Sequence, residues 1–165
     1  MNVDAILCNH AEAVNNLLYV SGGGIDAGFV QPGANPPYVI NVGIGIMVTV
    51  PWEQTNQQHE VEIELVDEDG HPALLATGPD SSSPLHVKLA FNIGRPATGS
   101  LGDDQHICLA ANLPGLPLPA LGKYGFIVRV DGFDERKLGY RLTLPPGTQI
   151  VANPPGPGAI GHMPS

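Results

Sequence analysis

Charged and aromatic residues are scarce in this sequence. Charged side chains make up 14% of the 165 residues and aromatic side chains 5%, whereas 42% of the residues are hydrophobic. A disordered chain would carry more charge and less apolar surface, so the composition indicates a folded protein. The length suits one domain whose core is large enough to fold without disulfides or metals.

Positive charge is the scarcest of all. Seven Lys and Arg residues stand against sixteen Asp and Glu residues, which gives a formal net charge of −9. Such an acidic surface repels phosphate backbones and anionic lipid headgroups. We therefore expect no nucleic-acid partner and no membrane partner.

The sequence also has no long hydrophobic run and no signal peptide. Its longest apolar stretch, residues 38–50, is shorter than the roughly 20 residues that a membrane-spanning helix needs. The opening MNVDAILCNHAEAV has neither a basic region nor a cleavage site, as a secretory signal would. We expect a cytoplasmic protein without membrane insertion, in which Cys8 and Cys108 stay reduced.

Sequence motifs of enzymes are absent. The chain contains no P-loop, no G-x-S-x-G elbow, no H-E-x-x-H and no C-x-x-C, the patterns that mark common catalytic sites. The serines at 81–83 lie among turn-forming residues, and no motif supplies the base that a nucleophilic serine needs. We therefore expect no enzyme activity, no catalytic residue and no cofactor.

A triple glycine follows an apolar stretch near the N-terminus. Gly22, Gly24 and Ala27 match the pattern G-x-G-x-x-A, but a dinucleotide site needs a helix that begins at the glycines. Pro32 and the prolines at 36–37 prevent such a helix. The glycines instead predict a kink where a strand bends out of its sheet.

Alternation of apolar and polar residues dominates the chain. In residues 59–70, Val61, Ile63 and Leu65 alternate with glutamates, which predicts a half-buried strand. Segments 85–94, 123–132 and 137–144 alternate in the same way. The predicted core comprises Val61, Ile63, Leu65, Val87, Leu89, Phe91, Tyr124, Phe126, Val128, Tyr140 and Leu142.

Many short strands between turn signals predict a mainly β protein, a single-domain antiparallel β-sandwich of immunoglobulin-like or C2-like type with about seven to nine strands. This domain is predicted to span residues 1–145. A Pro/Gly-rich tail without periodicity covers residues 146–165, and we expect its Ile150 and Val151 to dock on the domain or on a second subunit. Additional, less regular strands are predicted at 3–8, 17–25, 38–50 and 105–111, and single helical turns at 10–16 and 52–58.

Two aromatic residues have alternative interpretations. Tyr124 precedes a strand as in a tyrosine corner, where the hydroxyl bonds to upstream backbone, but it could also simply alternate inward. Trp52, the sole tryptophan, is either a plug at the edge of the core or an anchor for a partner.

Two cysteine–histidine pairs suggest a metal site. Cys8 and His10 are two residues apart, as are His106 and Cys108, so each pair would share one face of a strand. If the two strands paired, the four side chains would form a ligand set that zinc accepts. The alternatives are buried structural cysteines and a Cys8–Cys108 disulfide.

Acidic turns suggest a second metal, calcium, which prefers carboxylate oxygens. The turns would have to converge at one end of the fold, and acidic turns are also ordinary solvated turns. The clusters are Asp67, Glu68 and Asp69; Asp103 and Asp104; and Asp131, Asp134 and Glu135.

Three long segments in succession carry a family resemblance: ILCNHAEAVNNLLYVSGGGID, PPYVINVGIGIMVTVPWEQTNQQHEVEIELVDEDGHP and LPLPALGKYGFIVRVDG. Their order resembles a family of small bacterial proteins of unknown function, in which an Ala-Glu-containing element precedes a Leu-Tyr-Val-x-Gly-Gly-Gly strand and an acidic Asp-Gly turn follows. The resemblance covers nearly all of residues 3–145. It implies a shared β-sandwich and, with the Gly/Pro/Ala bias, an actinobacterial source, and it transfers no catalytic residue.

Two classes of function remain. The first is a non-enzymatic interaction or assembly module with a protein partner or a second copy of itself, because an open sandwich has edge strands that must be protected or used. The charge-poor strands at 38–50 and 105–111 would offer the pairing surface. The alternative is a small-molecule or metal-binding protein with zinc or calcium, which needs polar groups that converge in a pocket.

Overall fold

The computed structural model describes residues 1–95 and 102–147, except for the side chain of Asp134. Within these residues the chain forms twelve strands, a short 3₁₀-helix (Trp52–Gln54) and no α-helix. The strands are β1 (Asn2–Cys8), β2 (His10–Val14), β3 (Leu17–Ser21), β4 (Ala27–Phe29), β5 (Tyr38–Val50), β6 (Gln58–Val66), β7 (Leu74–Gly78), β8 (Ser81–Pro84), β9 (His86–Asn92), β10 (Gln105–Leu118), β11 (Gly122–Val130) and β12 (Asp134–Thr143).

The strands form two larger sheets and two separate hairpins. The first sheet has the order β1-β5-β10 and the second the order β4-β12-β11-β6-β9, while β2-β3 and β7-β8 pair only within themselves. The mainly β prediction is confirmed. The strand number was predicted too low, because β2, β4, β7 and β8 have weak or no alternation in sequence.

One strand pair departs from the expected antiparallel arrangement. β4 lies parallel to β12, with Ala27 opposite Arg141 and Phe29 opposite Thr143. A parallel pair needs a long connection, and here the chain between the two strands passes through both larger sheets. The prediction of purely antiparallel pairing is therefore wrong at this edge.

Both larger sheets contribute buried side chains to one core cluster. Alternate residues of β5 from Ile44 to Val50 are fully inaccessible, as are Val61, Ile63 and Phe126 of the second sheet. The predicted core is confirmed except at Val87 and Leu89, which are only half-buried. These two lie in β9, the edge strand, where a neighbouring strand is missing on one side.

The tyrosine corner is confirmed. The Tyr124 hydroxyl donates a hydrogen bond to the Ala120 carbonyl oxygen at 2.7 Å, four residues upstream at the entry to β11. Burial of the ring raises the pKa of Tyr124, and the negative charge of Asp67 acts in the same direction. The corner fixes the loop before β11 to the strand itself.

The predicted helical turn at 10–16 is wrong. Residues 10–14 form β2, and Asn15 and Asn16 follow with φ of 52° and 57°. Two consecutive residues with positive φ make the tight hairpin turn whose twist matches the flanking strands, and asparagine tolerates this conformation. The helical turn predicted at 52–58 is confirmed only for its first residues, in the 3₁₀-helix.

The triple glycine is a kink, as expected. β3 ends at Ser21, and Gly22 and Gly24 have φ of 62° and 87°, values that favour glycine. No helix follows the glycines, so the feature that a dinucleotide site requires is missing.

Ile150 and Val151 of the predicted tail lie outside the described residues, and the domain boundary stays a prediction.

Candidate functional site

The structure does not bring the four predicted zinc ligands together. Cys8 in β1 lies opposite Gly43 of β5, and Cys108 in β10 lies opposite Met47. β5 separates the two strands, and the register offsets the cysteines by four residues, about 14 Å along the sheet. The pairing on which the zinc hypothesis depended is therefore wrong.

The first cysteine–histidine pair is also divided within itself, whereas His106 and Cys108 lie in an unbroken part of β10. Asn9 forms a bend between β1 and β2, so Cys8 is buried while His10 is exposed and bonds the Glu12 carboxylate at 3.1 Å. His106 bonds the Thr49 hydroxyl at 3.1 Å. Residues two apart share a face only in an unbroken strand. Both cysteines are free thiols, so the disulfide alternative is wrong as well.

The acidic turns do not converge on one end of the fold. Asp67 follows the end of β6 and Asp131 follows the end of β11, and these strands are antiparallel neighbours, so the two turns lie at opposite ends of the sheet. Asp103 and Asp104 precede β10 and are exposed. The convergence that the calcium hypothesis required is absent for the Asp67 and Asp131 turns.

One acidic turn holds a possible ligand group. Among the described residues, Asp67, Asp69 and His71 have ligand atoms within 4.8 Å of one another. Asp67 Oδ1, however, accepts hydrogen bonds from the backbone N–H groups of Asp69 and His71 at 3.0 and 2.9 Å. This is the bonding of an ordinary Asx turn, which accounts for the cluster without an ion.

His59 is the one buried histidine among the described residues. Its Nδ1 lies 2.7 Å from Asp131 Oδ2 and its Nε2 lies 2.7 Å from the carbonyl oxygen of Gln54. Asp131 Oδ1 also accepts the backbone N–H of Glu60 at 2.9 Å. Both ring nitrogens are occupied by the fold, so His59 ties the start of β6 to the β11–β12 turn and is not available as a general base.

Trp52 is half-buried rather than a core plug or a free anchor. The Arg95 guanidinium lies over its ring at 4.6 Å from the centroid, a cation–π arrangement. Arg95 Nε also donates to the Thr55 hydroxyl at 2.9 Å, and that hydroxyl donates to the Trp52 carbonyl oxygen at 2.8 Å. One face of the indole is thus occupied within the chain itself.

Two glycines on the outer face of the first sheet lie beneath the β2–β3 hairpin. A Cβ on Gly43 would lie 2.8 Å from Asn112 Oδ1 and 3.1 Å from the Cα of His10, and a Cβ on Gly45 would lie 3.1 Å from Val20. Neither glycine has a positive φ. These positions lack side chains because the hairpin approaches closely, with its backbone at Gly43 and with the side chains of Leu18 and Val20 at Gly45.

Two asparagine side chains hold the hairpin on this sheet. Asn112 accepts from the backbone N–H of Ala11 at 3.0 Å and donates to its carbonyl oxygen at 2.8 Å. Asn16 accepts from Cys108 N–H at 2.9 Å and donates to the His106 carbonyl oxygen at 2.7 Å. Each amide therefore imitates a strand partner, and Asn16 satisfies part of the exposed edge of β10.

The opposite face of this hairpin carries an exposed apolar cluster. Val14 pairs with Leu17, and Tyr19 pairs with Glu12, so the three apolar side chains adjoin on one face of the ribbon. Their exposed fractions are 48% for Val14, 58% for Leu17 and 54% for Tyr19. We call this set the hairpin patch.

The second sheet also carries two glycines on its outer face. Gly125 of β11 and Gly139 of β12 are directly opposite each other in an unbroken register. A Cβ on Gly139 would meet no atom within 4 Å, whereas a Cβ on Gly125 would lie 2.8 Å from Cε of Lys137. The glycines form the floor of an open depression that no element of the described chain covers.

This depression is a cavity of about 490 Å³, which we call the glycine cavity. Its basic lining residues are Lys123, Lys137 and Arg141. Lys123 forms an ion pair with Glu68 at 2.8 Å, and Lys123 is the direct cross-strand partner of Arg141. The cavity wall also includes Asp26 and Asp67.

The charges farther along the same sheet face are paired with opposite charges. Arg129 contacts both Glu64 and Glu135, and Lys88 forms ion pairs with Glu60 and Glu62 at 2.6 and 2.7 Å. The Lys88 hydrogen bond lowers the pKa of Glu62. Charged side chains on this sheet face are thus paired outside the glycine cavity, whereas within it the side chains of Lys137 and Arg141 have no acidic partner among the described residues.

A family model matches residues 3–143 of the chain; it describes DUF6941, a family of unknown function. The chain belongs to DUF6941. The expected membership in a family of unknown function is confirmed, while the bacterial source remains a prediction. The DUF6941 chain matches no curated protein, so no activity or ligand is transferred to it by similarity. Among its described residues, no helix is long and apolar enough to cross a membrane.

The hairpin patch and the glycine cavity were both missed in the sequence. For the cavity the sequence signal misleads by one residue: a two-residue Asp131-Gly132 turn would place Gly125 opposite Leu138. The loop has three residues, with Val130 opposite Asp134, and this places Gly125 opposite Gly139. For the patch the signal was weaker, an Asn-Asn pair between two short apolar segments.

Proposed function

We propose that this chain is a non-enzymatic interaction module built on a β-sandwich, and that the hairpin patch is its docking surface. The observation that carries the proposal is the exposure of Val14, Leu17 and Tyr19 together on one face of the β2–β3 ribbon. Single exposed apolar residues are common on soluble proteins, whereas adjoining ones mark interaction surfaces. Tyrosine is also enriched among the residues that dominate binding energy.

The charge of the chain favours a partner other than a second copy. Two chains that each carry a formal charge of −9 repel each other at close approach. Glu12, which is 61% exposed, lies beside Tyr19 on the same face of the ribbon. The occupant that fits is a protein with an apolar surface and Lys or Arg side chains at its rim, since such charges would also speed association.

The non-enzymatic part of the proposal is supported by the state of the buried histidine. Both nitrogens of His59 are engaged by Asp131 and Gln54. Ser81 and Thr77, which lie in the β7–β8 hairpin, bond each other at 3.0 Å. These contacts leave the buried histidine and Ser81 in structural roles.

The proposal is tested by cross-linking followed by binding with purified components. A photoreactive residue is placed at position 19 and, as the control, at Val39, which is 66% exposed in β5. A protein captured only from position 19 is then purified, and its affinity is measured for the wild type, for Leu17→Ser/Tyr19→Ala and for Val39→Ser. We expect the double variant to bind at least about tenfold more weakly, with wild-type binding also weakened by salt.

Two results would overturn the proposal. The first is equal affinity of the double variant and the wild type for every protein captured from position 19. The second is a dimer of the isolated chain in sedimentation that the double variant abolishes, because the occupant would then be a second copy of the chain.

A further inference from the structure

We propose that the glycine cavity binds a small organic anion, a ligand with a carboxylate or phosphate group and an additional hydroxyl or amino group. This site lies on the second sheet and does not depend on the hairpin patch. Three independent features of the cavity support it: the glycine at position 139, the unpaired side chains of Lys137 and Arg141, and the size of the cavity.

The fold does not explain the glycine at position 139. Gly125 and Gly139 have no positive φ, and their register is uninterrupted, so neither a turn nor a bulge requires them. Glycine weakens a strand interior because it gives up more conformational freedom on folding. The remaining reason for glycine is the close approach of another group. At Gly125 the side chains of Lys137 and Val66 make that approach, whereas above Gly139 the described chain supplies no atom within 4 Å.

The lining holds three basic and three acidic residues, but two of the basic side chains are not paired by the fold. Lys137 and Arg141 lie two residues on either side of Gly139, so they share its face, and neither side chain has an ion-pair or hydrogen-bond partner within the described part of the chain. Arg141 is also directly opposite Lys123. Like charges at opposed positions destabilise a sheet, and an anion between them would remove that cost.

The acidic wall of the cavity limits the ligand further. Glu68 is held by Lys123, and Asp67 Oδ1 is held by the backbone of its own turn. Asp26 is exposed at the rim and has no side-chain partner within residues 1–95 and 102–147. A ligand that donates from a hydroxyl or amino group to Asp26 while its anionic group lies between Lys137 and Arg141 would satisfy all three.

The dimensions and chemistry agree with a small molecule. A volume of about 490 Å³ falls in the range of ligand pockets, roughly 300–1,000 Å³. The guanidinium of Arg141 can donate two parallel hydrogen bonds to a carboxylate or a phosphate, which a point charge cannot do. The flexible stem of Lys137 already lies over Gly125 and could adjust to the ligand.

The test is a titration of the full chain followed by amide NMR, with inorganic phosphate, phosphoethanolamine, malate and aspartate as separate probes. We expect saturable shifts confined to residues 123–125 and 137–141 for at least one probe, and the two pairs of probes distinguish phosphate from carboxylate recognition. Arg141→Gln and Gly139→Val should each weaken that binding about tenfold or more. Arg136→Gln, an identical charge change on the same strand outside the cavity, should leave the affinity unchanged.

Gly139→Val keeps every charge and should keep the fold. A loss of binding in this variant would therefore show that binding needs the shape of the cavity and not only electrostatic attraction of the anion to the protein. The proposal is overturned if no probe produces saturable shifts up to millimolar concentration. It is also overturned if Arg136→Gln weakens binding as much as Arg141→Gln, because the shifts would then report only the overall charge of the protein.

Discussion

The two larger sheets differ in what lies over the glycines of their outer faces. Gly43 and Gly45 of the first sheet are covered by the β2–β3 hairpin, whose atoms come within about 3 Å of where a Cβ would be. In the second sheet the side chains of Lys137 and Val66 lie over Gly125, whereas Gly139 has no atom of the described chain within 4 Å of where a Cβ would be. The same residue type therefore serves packing in one sheet and leaves a cavity in the other.

The polar groups beside the two glycine pairs differ in the same sense. Next to Gly43, the Asn112 amide is fully used by the backbone of Ala11, and burial raises the pKa of the Cys8 thiol. Next to Gly139, Lys137 and Arg141 are exposed. A buried surface satisfies its polar groups within the fold, whereas the exposed Lys137 and Arg141 are accessible to another molecule.

The largest effect is expected from Gly43→Val. The added side chain would collide with the backbone of His10 and with Asn112, and a backbone cannot move aside without lifting the hairpin. We expect a loss of about 3 kcal/mol in the free energy of unfolding, the upper part of the range for overpacking. Urea denaturation of the variant and the wild type measures it. A loss below about 0.5 kcal/mol would mean that the hairpin is not seated on the sheet.

Asn112→Ala should cost somewhat less, about 2 kcal/mol, because the buried N–H and C=O of Ala11 lose their partners. The hairpin should then detach more often and uncover Cys8. A native thiol-labelling assay follows this directly: in the wild type Cys8 should react slowly, because burial shields it and its raised pKa reduces the thiolate fraction.

We expect Cys8 to label much faster in Asn112→Ala, while Cys108, which is already partly exposed, should change little. Equal acceleration of both thiols would indicate general loosening of the fold. In that case the hydrogen bonds of the Asn112 amide would not be what specifically holds the hairpin on the sheet.

Tyr124→Phe should cost about 1 kcal/mol, the worth of one hydrogen bond. The pKa of Tyr124 is raised in the folded state, so the stability contributed by its neutral hydroxyl is complete below the unfolded value of about 10. It is lost as the pH rises through the higher folded pKa. The difference in unfolding free energy between wild type and variant should therefore be constant at neutral pH and shrink in strong alkali; a difference that grows there would contradict this assignment.

Gly139→Val should have the smallest effect on stability, within about 0.5 kcal/mol. The added side chain meets no atom within 4 Å, and valine favours strands. A small loss of stability in Gly139→Val and a large loss in Gly43→Val would show that the hairpin over Gly43 causes the difference between the two variants. A loss as large as that of Gly43→Val would show that the second glycine pair is also required by packing.

Some features of the molecule could be predicted from the local sequence pattern, and others could not. The strand faces around Val61, Phe126 and Tyr140 were predictable because a period of two fixes which side chains share a face, whatever the neighbouring strands are. The corner at Tyr124 was predictable because its partner, Ala120, lies four residues away. The β2–β3 hairpin was missed because an alanine- and glutamate-containing segment resembles a helix locally, and only docking on the first sheet makes it a strand.

By itself, the sequence determined the mainly β character, most of the core, the kink at the triple glycine and the family, because these depend on residue type and on spacing along the chain. Only the tertiary structure decided which strands are neighbours. It placed β5 between β1 and β10, which separates Cys8 from Cys108, and it placed Gly139 beside Gly125 under an open cavity. The first outcome depends on contacts between residues far apart in sequence, and hydrophobic alternation carries no information about which buried strand will pair with which. The second depends on the length of the loop between β11 and β12, which sets the register of that hairpin.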